Sequence, residues 1–232
     1  KITNCRVSGS VEVTDPASTY VGGLVGYNTG TTGTTGTIEN CTATVAVSGN
    51  NHNMVGGLVG GNGSSGTIKG CHVDATGTGV SGASMTGGLV GQNEGAVENS
   101  FVIGVVVGTG NNTGGLIGYN NSGTIQFCYA AGSVSRTGTG PIGGLVGSSN
   151  VTVNDFFYDT EIISGQPDNS HGTRKSTEEM KDVATYTDEG TPDLDNAWDF
   201  VNNPNDDGGN LDIWDIDGVT NDGYPFLRGL LP

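Results

Sequence analysis

The sequence predicts an all-β fold: a parallel β-helix, or β-solenoid, of about five rungs over residues 1–154, closed by a mixed cap over residues 155–232. Two recurring strings and one change of composition carry that reading. Gly-Gly-Leu-Val-Gly starts at Gly22, Gly56, Gly87 and Gly143, and Gly-Gly-Leu-Ile-Gly starts at Gly114, in steps of 34, 31, 27 and 29 residues. A second unit carries a Cys three positions after an Ile, from Ile38 to Cys41, Ile68 to Cys71 and Ile125 to Cys128. Val97 to Ser100 is its variant, and the chain opens inside the same unit at Ile2 to Cys5. Both strings stop near Asn154.

Downstream of each Cys position, alternate residues are small or β-branched: Val7, Gly9, Val11; Ala43, Val45, Val47; Val102, Gly104, Val106; Ala130, Gly132, Val134. That is the period of a strand. A single unit of this kind cannot bury its own apolar face. Stacked units, about 4.8 Å apart, bury Leu24, Leu58, Leu89, Leu116 and Leu145 on one another as a ladder. Insertions such as Thr29–Thr35, where a later copy has the single Glu94, project from a corner of the stack. A propeller blade needs four strands in about 40–45 residues, more than these repeats hold.

The Cys row reads either as a ladder of buried thiols or as a disulfide between neighbouring rungs. Its spacings match no zinc pattern. The row Asn28, Asn62, Asn93 and Asn120, one variable residue after each Gly-rich string, is expected to be structural. Asn tolerates left-handed turns and bonds nearby backbone.

Composition excludes several classes. The 43 Gly follow no three-residue period, so a collagen triple helix is ruled out, and an interior Gly costs a helix about 1 kcal/mol, which disfavours a bundle. A net charge of −16 leaves too little Lys and Arg for nucleic-acid binding. No apolar run approaches the roughly 18 residues of a spanning helix, so membrane insertion by this segment is not expected.

Residues 155–232 hold 18 of the 24 acidic residues but only 8 of the Gly. They also hold Phe156, Phe157, Tyr158, Trp198, Phe200, Trp214, Tyr224, Phe226 and Leu227, the aromatic and apolar bulk that the repeats lack. A solenoid's last rung exposes a layer of core and an unpaired edge, so this tail is expected to fold into a lid on that end. Thr177 to Tyr186 is the one helix-like stretch, with Ser176 or Thr177 as N-cap.

Catalytic chemistry is sparse. His52, His72 and His171 belong to no zinc motif and are expected in loops or on the surface. Glu39 and Glu98, with Lys69 between them, read as a solvated column with weak cross-rung pairing. The expectation is therefore a protein that is not an enzyme, with polysaccharide cleavage by paired carboxylates as the alternative. No cofactor is expected beyond a structural calcium, whose candidate ligands are Asn205, Asp207, Asp215 and Asp217; the same acid-plus-Gly clusters also make ordinary turns.

The Gly-Gly-Leu-Val-Gly-x-Asn string with its Ile-x-Asn-Cys partner resembles the GLUG repeat of large secreted bacterial surface proteins. Such repeats occur in adhesin-like proteins and in non-catalytic regions of immunoglobulin A peptidases. The tail, from Phe157-Tyr158-Asp159 to Gly223-Tyr224-Pro225-Phe226-Leu227, resembles the segment that closes such arrays. The resemblance implies a non-catalytic extracellular module on a bacterial cell surface, acting in adhesion or as a stalk. Likeness to other β-helices implies right-handed winding. The expected partner is a host or matrix protein or a glycan, met at corner loops, with Tyr27 and Tyr119 as candidate contact residues. Because Lys1 begins in mid-repeat, the chain is expected to be part of a longer one.

Overall fold

The structure is a computed structural model and describes residues 1–15, 19–151, 156–159, 171–201 and 212–230. The chain winds as a parallel β-solenoid with four faces. Sheet A stacks Ile2–Thr3, Gly36–Glu39, Gly66–Lys69, Ala96–Glu98 and Thr124–Gln126. Sheet B stacks Arg6–Glu12, Thr42–Ser48, His72–Gly82, Phe101–Gly108 and Cys128–Ala131, with Val134–Arg136 beside the fourth strand. Sheet C holds five two-residue strands from Val21–Gly22 to Ile142–Gly143. Sheet D stacks Val25–Asn28, Val59–Asn62, Val90–Asn93, Ile117–Asn120 and Val146–Ser149. The path from Ile2 to Ile125 makes four complete turns, and a fifth level runs on to Ser149.

Register follows the repeat. Ile2 pairs with Ile38, Ile38 with Ile68, and Val97 with Ile125, so each β-branched side chain sits on its equivalent in the next coil. Leu58, Leu89, Leu116 and Leu145 form the expected ladder and are fully buried, while Leu24 of the first coil is only half-buried. Each buried Leu contributes about 1.5–3 kcal/mol. The corner between sheets C and D admits no side chain on Gly22. A Cβ there would lie 2.1 Å from the Val25 carbonyl oxygen, which explains the invariant Gly-Gly of the string.

The left-handed corner residues are not the Asn28 row. One left-handed row is the residue just before each Cys position, Asn4, Asn40, Gly70, Asn99 and Phe127, and another is Met54, Met85 and Asn112 just before sheet C, all with φ between 45° and 60°. The Asn28 row instead lies at the end of each sheet D strand, buried, and forms a side-chain ladder. Asn28 Nδ2 donates to Asn62 Oδ1 at 2.8 Å, Asn62 to Asn93 at 2.8 Å, and Asn93 to Asn120 at 3.0 Å. Asn120 donates onward to Ser149 Oγ at 3.3 Å. All four cysteines are free thiols, three of them buried. Burial pushes the Cys128 thiol up to about 12.

Sheet B runs on past the repeats. Phe156–Asp159 pairs with the fifth-coil strand, and Thr173–Lys175 pairs with Phe156–Asp159. Phe156 and Tyr158 join the inner core beneath Leu145, and Gly172 lies against the Leu145 side chain. The rest of the cap does more than cover this end. It lies along the outer flank of sheet B, where Phe101, Tyr129 and Phe157 project outward and form a second core with Met180, Tyr186, Trp198, Phe200, Trp214 and Leu227. Trp214 Nε1 donates to Asn99 Oδ1 at 3.3 Å and Tyr129 Oη to the Pro225 carbonyl at 2.5 Å, while the Arg6 guanidinium reaches the Leu230 carbonyl. The cap therefore spans the flank back to the first coil.

The helix-like stretch is two short helices, Thr177–Met180 and Ala184–Thr187. Ser176 is the N-cap, in a reciprocal capping box with Glu179. The break falls at Lys181–Val183, where Asp182 Oδ1 accepts from the Ala184 N–H and starts a new turn. His52 lies in a loop, as expected, but is buried there with its ring nitrogens against the Gly49 and Asp15 carbonyls. His72 departs from expectation: it is buried in sheet B, stacked on Phe101 at 4.8 Å, where the outward aromatic column begins.

Candidate functional site

The residue between each Gly-rich string and its Asn forms an outward column on sheet D: Tyr27, Gly61, Gln92, Tyr119 and Ser148, in register. The residue after the Asn position forms a second column beside it, with Thr29, Gly63, Glu94, Asn121 and Asn150. Both columns end sheet D at a turn, so their side chains escape the core constraint that fixes the Val and Asn positions.

At the first two levels Tyr27, joined by Tyr20 from the position just before sheet C, lies over the bare backbone of Gly61. Tyr20 and Tyr27 are 37% and 45% exposed, with ring centroids 4.6 Å apart. A Cβ on Gly61 would lie 2.6 Å from the Tyr20 ring and 2.8 Å from the Tyr27 ring, so both rings rest on that glycine. Partial burial, then the neighbouring Tyr20 and Glu94, raise the Tyr27 phenol above its ordinary value.

At the next three levels the columns are polar and interlinked. Gln92 Nε2 and Asn121 Nδ2 both donate to Glu94 Oε1, at 3.0 and 3.3 Å. Tyr119 Oη donates to Asn121 Oδ1 at 3.3 Å, and Asn150 Nδ2 donates to Tyr119 Oη and Asn121 Oδ1 at 2.7 and 3.0 Å. The structure thus puts the two candidate tyrosines in one column but three rungs apart, roughly 14 Å. Sequence reasoning missed Tyr20, Gln92, Glu94, Asn121 and Asn150. The variable position and the residue after the Asn were the readable signal. The insertion Thr29–Thr35 closes on itself through Thr31 and Thr34 and stays exposed.

The other candidates come out differently. Asp215 Oδ1 accepts from the Ile216 N–H, and Asp217 accepts from the Val219 and Thr220 N–H groups and the Thr220 hydroxyl. Those bonds, the Thr220 side chain first, hold the Asp217 carboxyl below the usual range. Both carboxylates thus serve local turns; Asn205 and Asp207 lie outside the described residues. Among the described residues no group of three or more His, Cys, Asp or Glu is placed to hold a metal. The acidic column on sheet A is ion-paired: Lys1 to Glu39 at 2.8 Å and Lys69 to Glu98 at 3.8 Å. The hydrogen bond from Lys1 holds the Glu39 carboxyl low. A groove of about 490 Å³ between sheet B and the cap has its cation occupied, since Lys181 Nζ lies 4.7 Å over the Tyr224 ring.

Comparison with known proteins agrees with the repeat geometry. Residues 17–48 match the GLUG motif family. The chain carries the GLUG motif. It is also 40% identical over 137 residues to a protein of Evansella cellulosilytica described as a "Putative Gly-rich membrane protein". The matched stretch covers 56% of this chain and 13% of the relative's length. No solved structure matches the chain significantly. Among the described residues no helix is long and apolar enough to cross a membrane.

Proposed function

We propose that this GLUG chain is a non-catalytic module displayed outside a bacterial cell, acting in adhesion through the outer face of sheet D. The carrying observation is the exposed Tyr20–Tyr27 pair, continued along the solenoid by the Gln92–Glu94–Asn121–Asn150 network. A pure stalk has no use for an aromatic pair laid open on a glycine floor. The relative's description as a membrane protein supports a place at the cell surface, and a stiff stack of coils suits a spacer that holds a binding face away from it.

Cleavage of a polysaccharide would need two carboxylates facing one groove. Glu39 and Glu98 instead share a solvated column with cations, which favours the binding reading. The test applies purified protein to an array of glycans and matrix proteins, with reducing-sugar release measured on each glycan. Retention without release is the expected result. Sugar release above background overturns the non-catalytic reading, and retention unchanged by Tyr27→Ala removes sheet D as the adhesive face.

A further inference from the structure

Resting on the reading of sheet D as the ligand face, we infer that its ligand is an uncharged, extended polysaccharide chain lying parallel to the solenoid axis. The aromatic pair supplies the first reason. Tyr20 and Tyr27 lie over Gly61 with their rings 4.6 Å apart and remain 37% and 45% exposed, an aromatic surface open to solvent. A half-exposed aromatic ring offers an apolar surface that matches the C–H face of a pyranose.

Spacing supplies the second reason. The column repeats at about 4.8 Å, comparable with the advance of one sugar unit along an extended chain. Successive levels therefore come within reach of successive sugars of one chain, the tyrosines at one end and the amides further along. Beyond the rings, Glu94, Asn121 and Asn150 offer carboxylate and amide groups already oriented by bonds to one another. Gln92 Oε1, in register between Gly61 and Tyr119, has no hydrogen-bond partner among the described residues and is an acceptor left over for a sugar hydroxyl.

Charge supplies the third. Glu94 is the one acidic residue in the two columns, neither of which holds a Lys or Arg, and the whole chain carries a formal −16. Uronate or sulfated chains would be repelled, and neutral ones would not.

The experiment is calorimetric titration of the intact chain with cellobiose, cellotetraose, cellohexaose and xylohexaose as extended neutral probes. Maltohexaose serves as a curled control and oligogalacturonate as an anionic one. Affinity is expected to rise from the disaccharide to the tetrasaccharide and level off by the hexasaccharide, with the controls at least about tenfold weaker. Tyr20→Ala and Tyr27→Ala should each weaken binding about tenfold with melting unchanged, and Tyr27→Phe should retain it. Binding that ignores the tyrosines, or that favours oligogalacturonate, overturns the inference. So does failure of every neutral probe. In that last case, retention on a matrix-protein surface that Tyr27→Ala abolishes would leave the adhesive face standing, and retention indifferent to Tyr27 would remove both.

Discussion

Two hydroxyls in the core show how single atoms set the stability of a coil. Thr86 and Thr113 occupy the sheet C position where other coils carry Val21, Val55 and Ile142, and their Oγ1 atoms are buried without partners. A buried donor left unsatisfied costs about 1–3 kcal/mol. Thr113→Val keeps the shape and removes that cost, so it should stabilise the chain by about 1 kcal/mol and raise Tm by roughly 2–4 °C. A lower Tm in a scanning calorimeter would show that the hydroxyl is satisfied after all. His72 acts in the opposite direction. Burial against Phe101 pushes its imidazole down to about 4. Above about pH 6.5 neither the folded nor the unfolded chain protonates it. From there down to about pH 4 the unfolded chain takes up a proton that the folded chain refuses, so stability falls as pH drops through that window. The loss approaches about 3 kcal/mol at the lower end. His72→Phe extends the aromatic column and should flatten the decline between pH 6.5 and 5 in urea melts, relative to the parent chain.

The ladders are the elements that hold one coil to the next. Asn93 accepts from Asn62 and donates to Asn120 and the Gly95 carbonyl, whereas Asn28 at the first coil makes fewer such bonds. Asn93→Ala leaves the buried Asn120 Oδ1 without its donor and removes the bond to the Gly95 carbonyl, while Asn62 Nδ2 keeps the Gly66 and Ala96 carbonyls, and should cost about 2–3 kcal/mol; Asn28→Ala should cost clearly less. Denaturant midpoints for the pair check the order. Leu89→Asp places an unpaired charge in the middle of the Leu ladder and should abolish folding, seen as loss of the far-ultraviolet β signal. The Leu ladder was legible in the sequence, because stacking demands that the same residue return once per coil; the Asn row was legible as a row, but its side-chain bonding from rung to rung, in place of left-handed turns, was not. The sheet D face was legible only in part. Tyr27 stood out as an aromatic residue beside a repeat, but Glu94 and Asn121 became a site only once register placed them one rung apart. The outward aromatic flank of sheet B was hidden for a related reason. It is written at the position after the Cys, where Arg6 and Thr42 give way to His72, Phe101 and Tyr129, and a drift from polar to aromatic is not a repeat.

At the scale of the whole molecule, the cap is fastened by tryptophans rather than by its charges. Trp198 and Trp214 are buried against one another at 5.1 Å and against the outer face of sheet B. Replacing both by Ala keeps every carboxylate and should cost about 3–5 kcal/mol per site. Near-ultraviolet dichroism should collapse while the solenoid's β signal remains, and the exposed flank should then associate. A double variant that stays monomeric and melts with the parent would show that the flank needs no cover. The fastening also imposes an order in time. The Asn rungs join residues 27 to 34 positions apart, so each coil can settle as soon as its own stretch of chain is available. The cap joins Asn221 to Tyr129, Trp214 to Asn99 and Leu230 to Arg6, separations of 92, 115 and 224 residues. Closing those long loops waits for nearly the whole chain. Synthesis in the N-to-C direction therefore winds these coils before it clasps them, and the clasp reaches back across all of them to Arg6.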